Sequence, residues 1–135
     1  MVTKRDLMGV RELIRIQRTI AERMESIRAS VTLSSPSLDG MPHGGEYHDR
    51  MAEYVAKMDA IQWEYAKLET RLQDEIMRIE TEVRMLKPNQ CAVIWMRYID
   101  GMSWKRISRE LHYSASQVYE LHKAGLKRLS TERPE

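Results

Sequence analysis

The feature that most limits how this chain can fold is a pair of short amphipathic stripes meeting at a turn. They lie between Arg97 and Leu129, in the run RYIDGMSWKRISRELHYSASQVYELHKAGLKRL. Ser103 stands where a serine oxygen can accept a bond from an amide one turn into a helix. Trp104, Ile107 and Leu111 follow at helical spacing. That stripe stops at His112-Tyr113. Ser114 is then placed to cap a second helix, whose apolar face is Val118, Leu121, Leu126 and Leu129. Two amphipathic helices joined by about three residues must cross steeply to bury both faces, which is the helix-turn-helix arrangement.

The rest of the chain is also helical in pattern. Phe is absent among 135 residues, Met occurs ten times, and Val, Ile and Thr are never clustered as strands require. A first helix is predicted from Lys4 to Leu33, with Leu7, Val10, Ile14, Ala21, Met24, Ile27 and Val31 on its apolar stripe and Gln17 as a blemish in it. Ser34 to Glu46 holds two prolines and three glycines and reads as a loop. His43, with His48 and Asp49 near it, fits no standard metal-ligand spacing. A second helix is predicted from Tyr47 to Leu86. Its stripe is Met51, Tyr54, Met58, Ile61, Tyr65, Leu68, Leu72, Ile79 and Leu86, an approximate heptad repeat. A helix of this length is stable only if its stripe is covered. The first helix can fold back as an antiparallel hairpin, but it is shorter, so part of the stripe is left for a second copy or for the C-terminal helices.

Pro88 disfavours helix in the residue before it and suits the first turn of a new one. A third helix is therefore expected from Pro88 through Ile99, facing inward with Cys91, Ile94, Trp95 and Tyr98. Asp100-Gly101 ends it, with Gly101 able to take the left-handed conformation. The expected fold class is all-α: a long, coiled-coil-like antiparallel hairpin over residues 1–86 for oligomerisation, a small three-helix helix-turn-helix domain over 87–130, and a disordered tail over 131–135. Cys91 has no partner for a disulfide and falls in the apolar pattern of the core. The N-terminus has no apolar run of the length a signal peptide or membrane helix needs, so a cytoplasmic protein is expected.

Charge separates the two parts. Residues 1–86 carry 13 Lys or Arg against 15 Asp or Glu, and residues 87–135 carry 9 against 5. The basic excess therefore falls on the helix-turn-helix, where phosphate attraction would use it. In such a motif the second helix lies in the major groove of double-stranded DNA. Its position assigns base contacts to Ala115, Ser116, Gln117, Tyr119 and Glu120. Phosphate contacts fall to Lys105, Arg106, Arg109, Ser114, Lys123, Lys127 and Arg128, which set position rather than sequence. Trp104, Val118 and Leu121 are expected in the core, and His112 and His122 at the turn and the surface.

These residues also carry a resemblance. Gly101, Ser103, Ile107, Ser108, Leu111, Ser114, Val118, Leu121, Leu126 and Leu129 stand as the corresponding positions do in the fourth region of bacterial sigma factors. The whole chain resembles phage and prophage transcriptional regulators of the ArpU and RinA type, which join a long helical N-terminal part to a sigma-like helix-turn-helix. The resemblance implies a sequence-specific DNA-binding transcriptional regulator that recruits or steers RNA polymerase, working as a homodimer in the bacterial cytosol. Sigma factors usually carry basic residues where Ala115 and Tyr119 stand, and an acidic one at Ser116. Recognition of an ordinary −35 element is therefore not expected. Gly125 replaces the usual alanine, at about 1 kcal/mol of intrinsic helix propensity.

Two other functions fit the same pattern. One is a DNA-packaging component like a terminase small subunit, to be told apart by ring-shaped assemblies. The other is an RNA polymerase adaptor that makes no DNA contact. No enzyme is expected, and no cofactor or metal, because the chain has no glycine-rich phosphate loop, no metal-spaced His/Cys set and no nucleophile elbow. Glu12, Glu64 and Glu69 read as helix-surface charges.

Overall fold

A computed structural model of the chain describes residues 1–33 and 44–131. Every regular element among them is a helix: α1 (Lys4–Leu33), α2 (Gly44–Val83), α3 (Pro88–Tyr98), α4 (Trp104–Leu111) and α5 (Ala115–Thr131). The fold is a long helical hairpin followed by a small helix-turn-helix domain. Of the loop expected over Ser34–Glu46, the residues up to His43 lie outside the described residues, and the remaining three belong to α2, which starts at Gly44 rather than at the predicted Tyr47. The tail expected over 131–135 lies outside the described residues after Thr131, which itself ends α5. None of the described helices is long and apolar enough to cross a membrane.

α1 starts where Thr3 and Asp6 cap it reciprocally. The Thr3 N–H donates to Asp6 Oδ2 at 2.9 Å, and the Asp6 N–H donates to Thr3 Oγ1 at 3.3 Å. The Thr3 amide, helped by the Arg78 guanidinium, holds the Asp6 carboxyl below its usual range. α2 ends at Val83, three residues short of the predicted Leu86. There the backbone tightens to i→i−3 bonds, Met85 N–H to Glu82 and Leu86 N–H to Val83, both at 3.1 Å. Lys87 is extended, as a residue before proline must be, and Pro88 opens α3.

The chain divides into two compact units: residues 1–14 with the chain from Arg71 onward, and Arg15–Thr70. In the first unit Val2, Leu7, Val10, Leu72, Ile79, Val83, Leu86, Ile94, Tyr98 and Leu129 form one core, with Cys91, Trp95 and Leu126 packed against it. That core draws on both sides of Leu86-Lys87. It also covers the end of the α2 stripe, Leu72, Ile79 and Leu86, from within the chain. A smaller cluster of Val93, Ile107 and Val118 ties α3, α4 and α5 together.

In the second unit Ile20, Met58 and Ile61 are buried, flanked by Met24, Ile27, Tyr54, Tyr65 and Leu68. The stripe of α1 shifts here: Ala21, expected inside, is exposed, and Ile20 is buried in its place. Gln17 is accommodated because its amide donates to the carboxylate of Glu69, which is half-buried rather than a plain surface charge. Outside this core, Val55 is 50% and Trp63 64% exposed, and Lys67 Nζ lies 4.1 Å over the Trp63 ring.

Candidate nucleic-acid interface

Local chemistry sets each turn of the three C-terminal helices. At the end of α3, Gly101 takes φ +69°, and the Met102 N–H closes the turn on the Met96 carbonyl at 3.0 Å. Arg97 Nη1 donates to the Met102 carbonyl at 3.0 Å, and its guanidinium lies 4.4 Å over the Trp104 ring. Ser103 caps α4, its Oγ accepting the Arg106 N–H at 3.2 Å. α4 stops at His112, which takes the left-handed conformation at φ 57° and ψ 38°. The Tyr113 N–H then bonds to the Ser108 carbonyl at 3.1 Å, and the Ser108 hydroxyl donates to the Tyr113 carbonyl. Three residues, His112, Tyr113 and Ser114, thus connect α4 to α5, and no continuous rod runs through the turn.

α5 opens on a reciprocal cap. The Gln117 N–H donates to Ser114 Oγ at 3.1 Å, and the Ser114 N–H donates to Gln117 Oε1 at 2.8 Å. Its buried side is Val118, His122, Gly125 and Leu129. Leu121 and Leu126 flank that stripe and are only half-buried. A Cβ on Gly125 would lie 2.6 Å from Ile94 Cδ1, so the glycine lets α5 lie close against Ile94 of α3.

Two sequence expectations fail here. His122, read as a surface residue, is buried, and its Nε2 is 2.8 Å from the Tyr98 hydroxyl. Burial holds its imidazole below the ordinary histidine range, and the charges of Lys4 and Arg97 act in the same direction. Trp104, read as core, is 39% exposed. As the first residue of α4 it packs an edge on His122, with ring centroids 4.7 Å apart, and leaves its remaining surface open. The steps from Val118 to His122 to Gly125 to Leu129 carry the signal that was missed: they repeat at helical spacing, but through a histidine and a glycine rather than through leucines. Gln90 is a second buried polar residue that its sequence does not announce.

The candidate contact residues lie on α4 and along α5: Ser114 to Glu120 gather at the start of α5 beside Lys105, Arg106 and Arg109, while Lys123 lies mid-helix and Lys127 and Arg128 fall in the last turns of α5, away from that start. Ser114, Ala115, Ser116, Gln117, Tyr119 and Glu120 are all exposed, as are Lys105, Arg106, Arg109, Lys123 and Lys127, while Arg128 is half-buried. A hollow lies on each side of the first turns of α5. One, of about 410 Å³, is largely apolar and is lined by Trp104, Lys105, Ser108, Ala115, Val118 and Tyr119. The other, of about 300 Å³, is lined by Asn89, Tyr113, Ser116, Gln117, Glu120 and Leu121. The start of α5 is therefore a ridge, bounded on one side by the basic face of α4. His48 and Asp49 are exposed near the start of α2, and His43 lies outside the described residues.

Residues 76–129 match the family model of sigma-70, region 4. The match covers less than half of the chain. It begins in the last turns of α2, earlier than the sequence pattern alone marks, and ends at Leu129, so it takes in α3, α4 and α5. The C-terminal helices are thus a sigma-region-4-like helix-turn-helix, a DNA-binding class of transcription. Neither the curated proteins nor the solved structures match this chain.

Proposed function

We propose that this chain is a sequence-specific DNA-binding transcriptional regulator of phage or prophage origin, acting in the bacterial cytosol by recruiting or steering RNA polymerase at a promoter. The start of α5, bearing Ala115, Ser116, Gln117, Tyr119 and Glu120, enters the major groove. Lys105, Arg106, Arg109, Ser114, Lys123, Lys127 and Arg128 hold the flanking phosphates. The observation that carries this reading is the α4–turn–α5 geometry, with Ala115, Ser116, Gln117, Tyr119 and Glu120 exposed between two hollows. The family match over residues 76–129 supports it.

The region from Lys87 onward has a modest basic excess, 9 Lys or Arg against 5 Asp or Glu, so one copy binds DNA weakly and a second copy raises affinity by linkage. We assign residues 1–86 to pairing two chains, and exposed Val55 and Trp63 support that assignment.

Selection from a random duplex pool tests the reading. The expected result is one enriched sequence, bound at least a hundredfold tighter than scrambled duplex near 0.15 M salt. Equal binding to both contradicts it. Lys123→Ala and Lys127→Ala should each reduce the slope of log affinity against log salt by about 1, with the preferred sequence unchanged. An unchanged salt slope with a lost RNA polymerase contact would favour an adaptor instead.

A further inference from the structure

α5 has one stripe that points outward. Ser116, Glu120, Lys123 and Lys127 step by four, three and four, and all are exposed. They lie on the side away from buried Val118, His122, Gly125 and Leu129. Gln117 lies off this stripe, and its side chain is engaged. Its Oε1 accepts the Ser114 N–H at 2.8 Å while Ser114 Oγ accepts the Gln117 N–H at 3.1 Å. The sequence S-x-x-Q is that of a capping box, which satisfies two otherwise unpaired amides at once. To read an adenine, a glutamine needs both its oxygen and its nitrogen. Here the cap holds the side chain against the Ser114 amide, and turning it toward a base edge leaves that amide without this partner at the start of the helix.

We infer that Glu120 is the residue that decides the sequence, by taking a cytosine, and that Gln117 is a positioning residue that fixes the first turn of α5 and reads no base. The inference rests on the proposed function, in which this turn faces the major groove. A carboxylate only accepts hydrogen bonds. Of the major-groove edges, guanine presents acceptors, thymine an acceptor and a methyl, and adenine a donor beside an acceptor that repels a carboxylate. Cytosine presents the N4 amino group alone and is the fitting partner. Glu120 sits at the centre of the outward stripe and borders the open hollow of about 300 Å³. Lys123 and Lys127, next on the same stripe, offset its charge against the phosphates.

The test is selection from a random duplex pool with the full chain, run for the unaltered protein and for Glu120→Ala, Glu120→Gln, Ser114→Ala, Gln117→Ala and the Ser114→Ala/Gln117→Ala pair. The unaltered protein should select a site with a C·G pair at one position. Glu120→Ala should lose roughly 5- to 150-fold discrimination there, and Glu120→Gln should come to prefer adenine. Gln117→Ala should keep the same preferred sequence and bind roughly fivefold weaker, the scale of one lost cap. The double variant should lose no more than the worse single one, and the same non-additivity should appear in thermal unfolding without DNA. Unchanged discrimination in Glu120→Ala, a new base preference in Gln117→Ala, or additive losses in the pair would each overturn the inference. If the unaltered protein selects no sequence, the proposed function fails and the role of Glu120 fails with it. The cap coupling is read without DNA, so that failure stays distinguishable from a wrong role for Gln117.

Discussion

The unit spanning Arg15–Thr70 and the α3–α4–α5 cluster are both helical, but they are specified in different ways. The first rests on a periodic pattern: Ile20, Met58 and Ile61 are buried, and between helix ends its sequence holds few other local signals. The second is punctuated at every joint, by Pro88, Gly101, Ser103, His112, Ser114 and Gly125. A periodic pattern fixes which face is covered and leaves the register to packing. Punctuation fixes where each helix starts and stops, and so where each side chain points. A surface that reads bases needs the second kind of specification. The first kind leaves large side chains such as Trp63 outside the core.

The sharpest test of this contrast is a matched pair of cavity variants. Ile107 has no exposed surface and joins α3, α4 and α5, so Ile107→Ala should cost about 2–5 kcal/mol and erase amide-exchange protection in α4 and α5. Ile61→Ala, in the other unit, should strip protection from residues 15–70 while α4 and α5 keep theirs. If each variant loosens both regions equally, the comparison fails. A smaller effect is expected where Gly125 packs on Ile94. Gly125→Ala gains about 1 kcal/mol of helix propensity but drives a Cβ into Ile94, an overpacking cost of about 1–3 kcal/mol. The net should be a loss measurable in urea unfolding, relieved when Ile94→Val removes the clashing Cδ1.

Smaller again is a pH effect confined to the punctuated region. The folded-state value of His122 lies below its unfolded value near 6.5, so the unfolded chain binds the extra proton first. Stability from this residue is fully present above about pH 6.5 and is lost as pH falls toward the lower folded value. Protonation leaves the Tyr98 contact possible, since Nε2–H can donate to the hydroxyl; the penalty comes from burial and from Lys4 and Arg97. His122→Gln should remove that slope. The separate loss tied to Asp6, whose carboxyl is also held low, should persist at more acidic pH. The smallest change is His112→Gly, which relieves the left-handed residue at the α4 end. It should raise the unfolding free energy measured in urea by a few tenths to about 1 kcal/mol, because a non-glycine residue pays about 1–2 kcal/mol there and glycine gives part of this back as chain entropy.

The same contrast explains what could be read from the chain before its structure. The span of α1, both serine caps, the left-handed Gly101 and the three-residue turn follow from local chemistry and stand where the sequence puts them. The exchange of Ala21 for Ile20 does not, because either residue suits the stripe and only the facing helix decides. His122 and Gly125 were missed for a related reason. Their burial depends on Tyr98, Trp104 and Ile94, which approach from other elements and leave no mark on the α5 pattern itself. The engagement of Gln117 in the cap was legible in the S-x-x-Q spacing, although its place in the motif also assigns it a base contact.

The most direct test of the central claim is amide chemical-shift mapping on the labelled chain as the selected duplex is added. The account predicts that the largest changes fall on residues 114–123 and on Lys105 to Arg109, with residues 15–31 of α1 little moved. Changes concentrated elsewhere, with the start of α5 unmoved at saturating duplex, would contradict it.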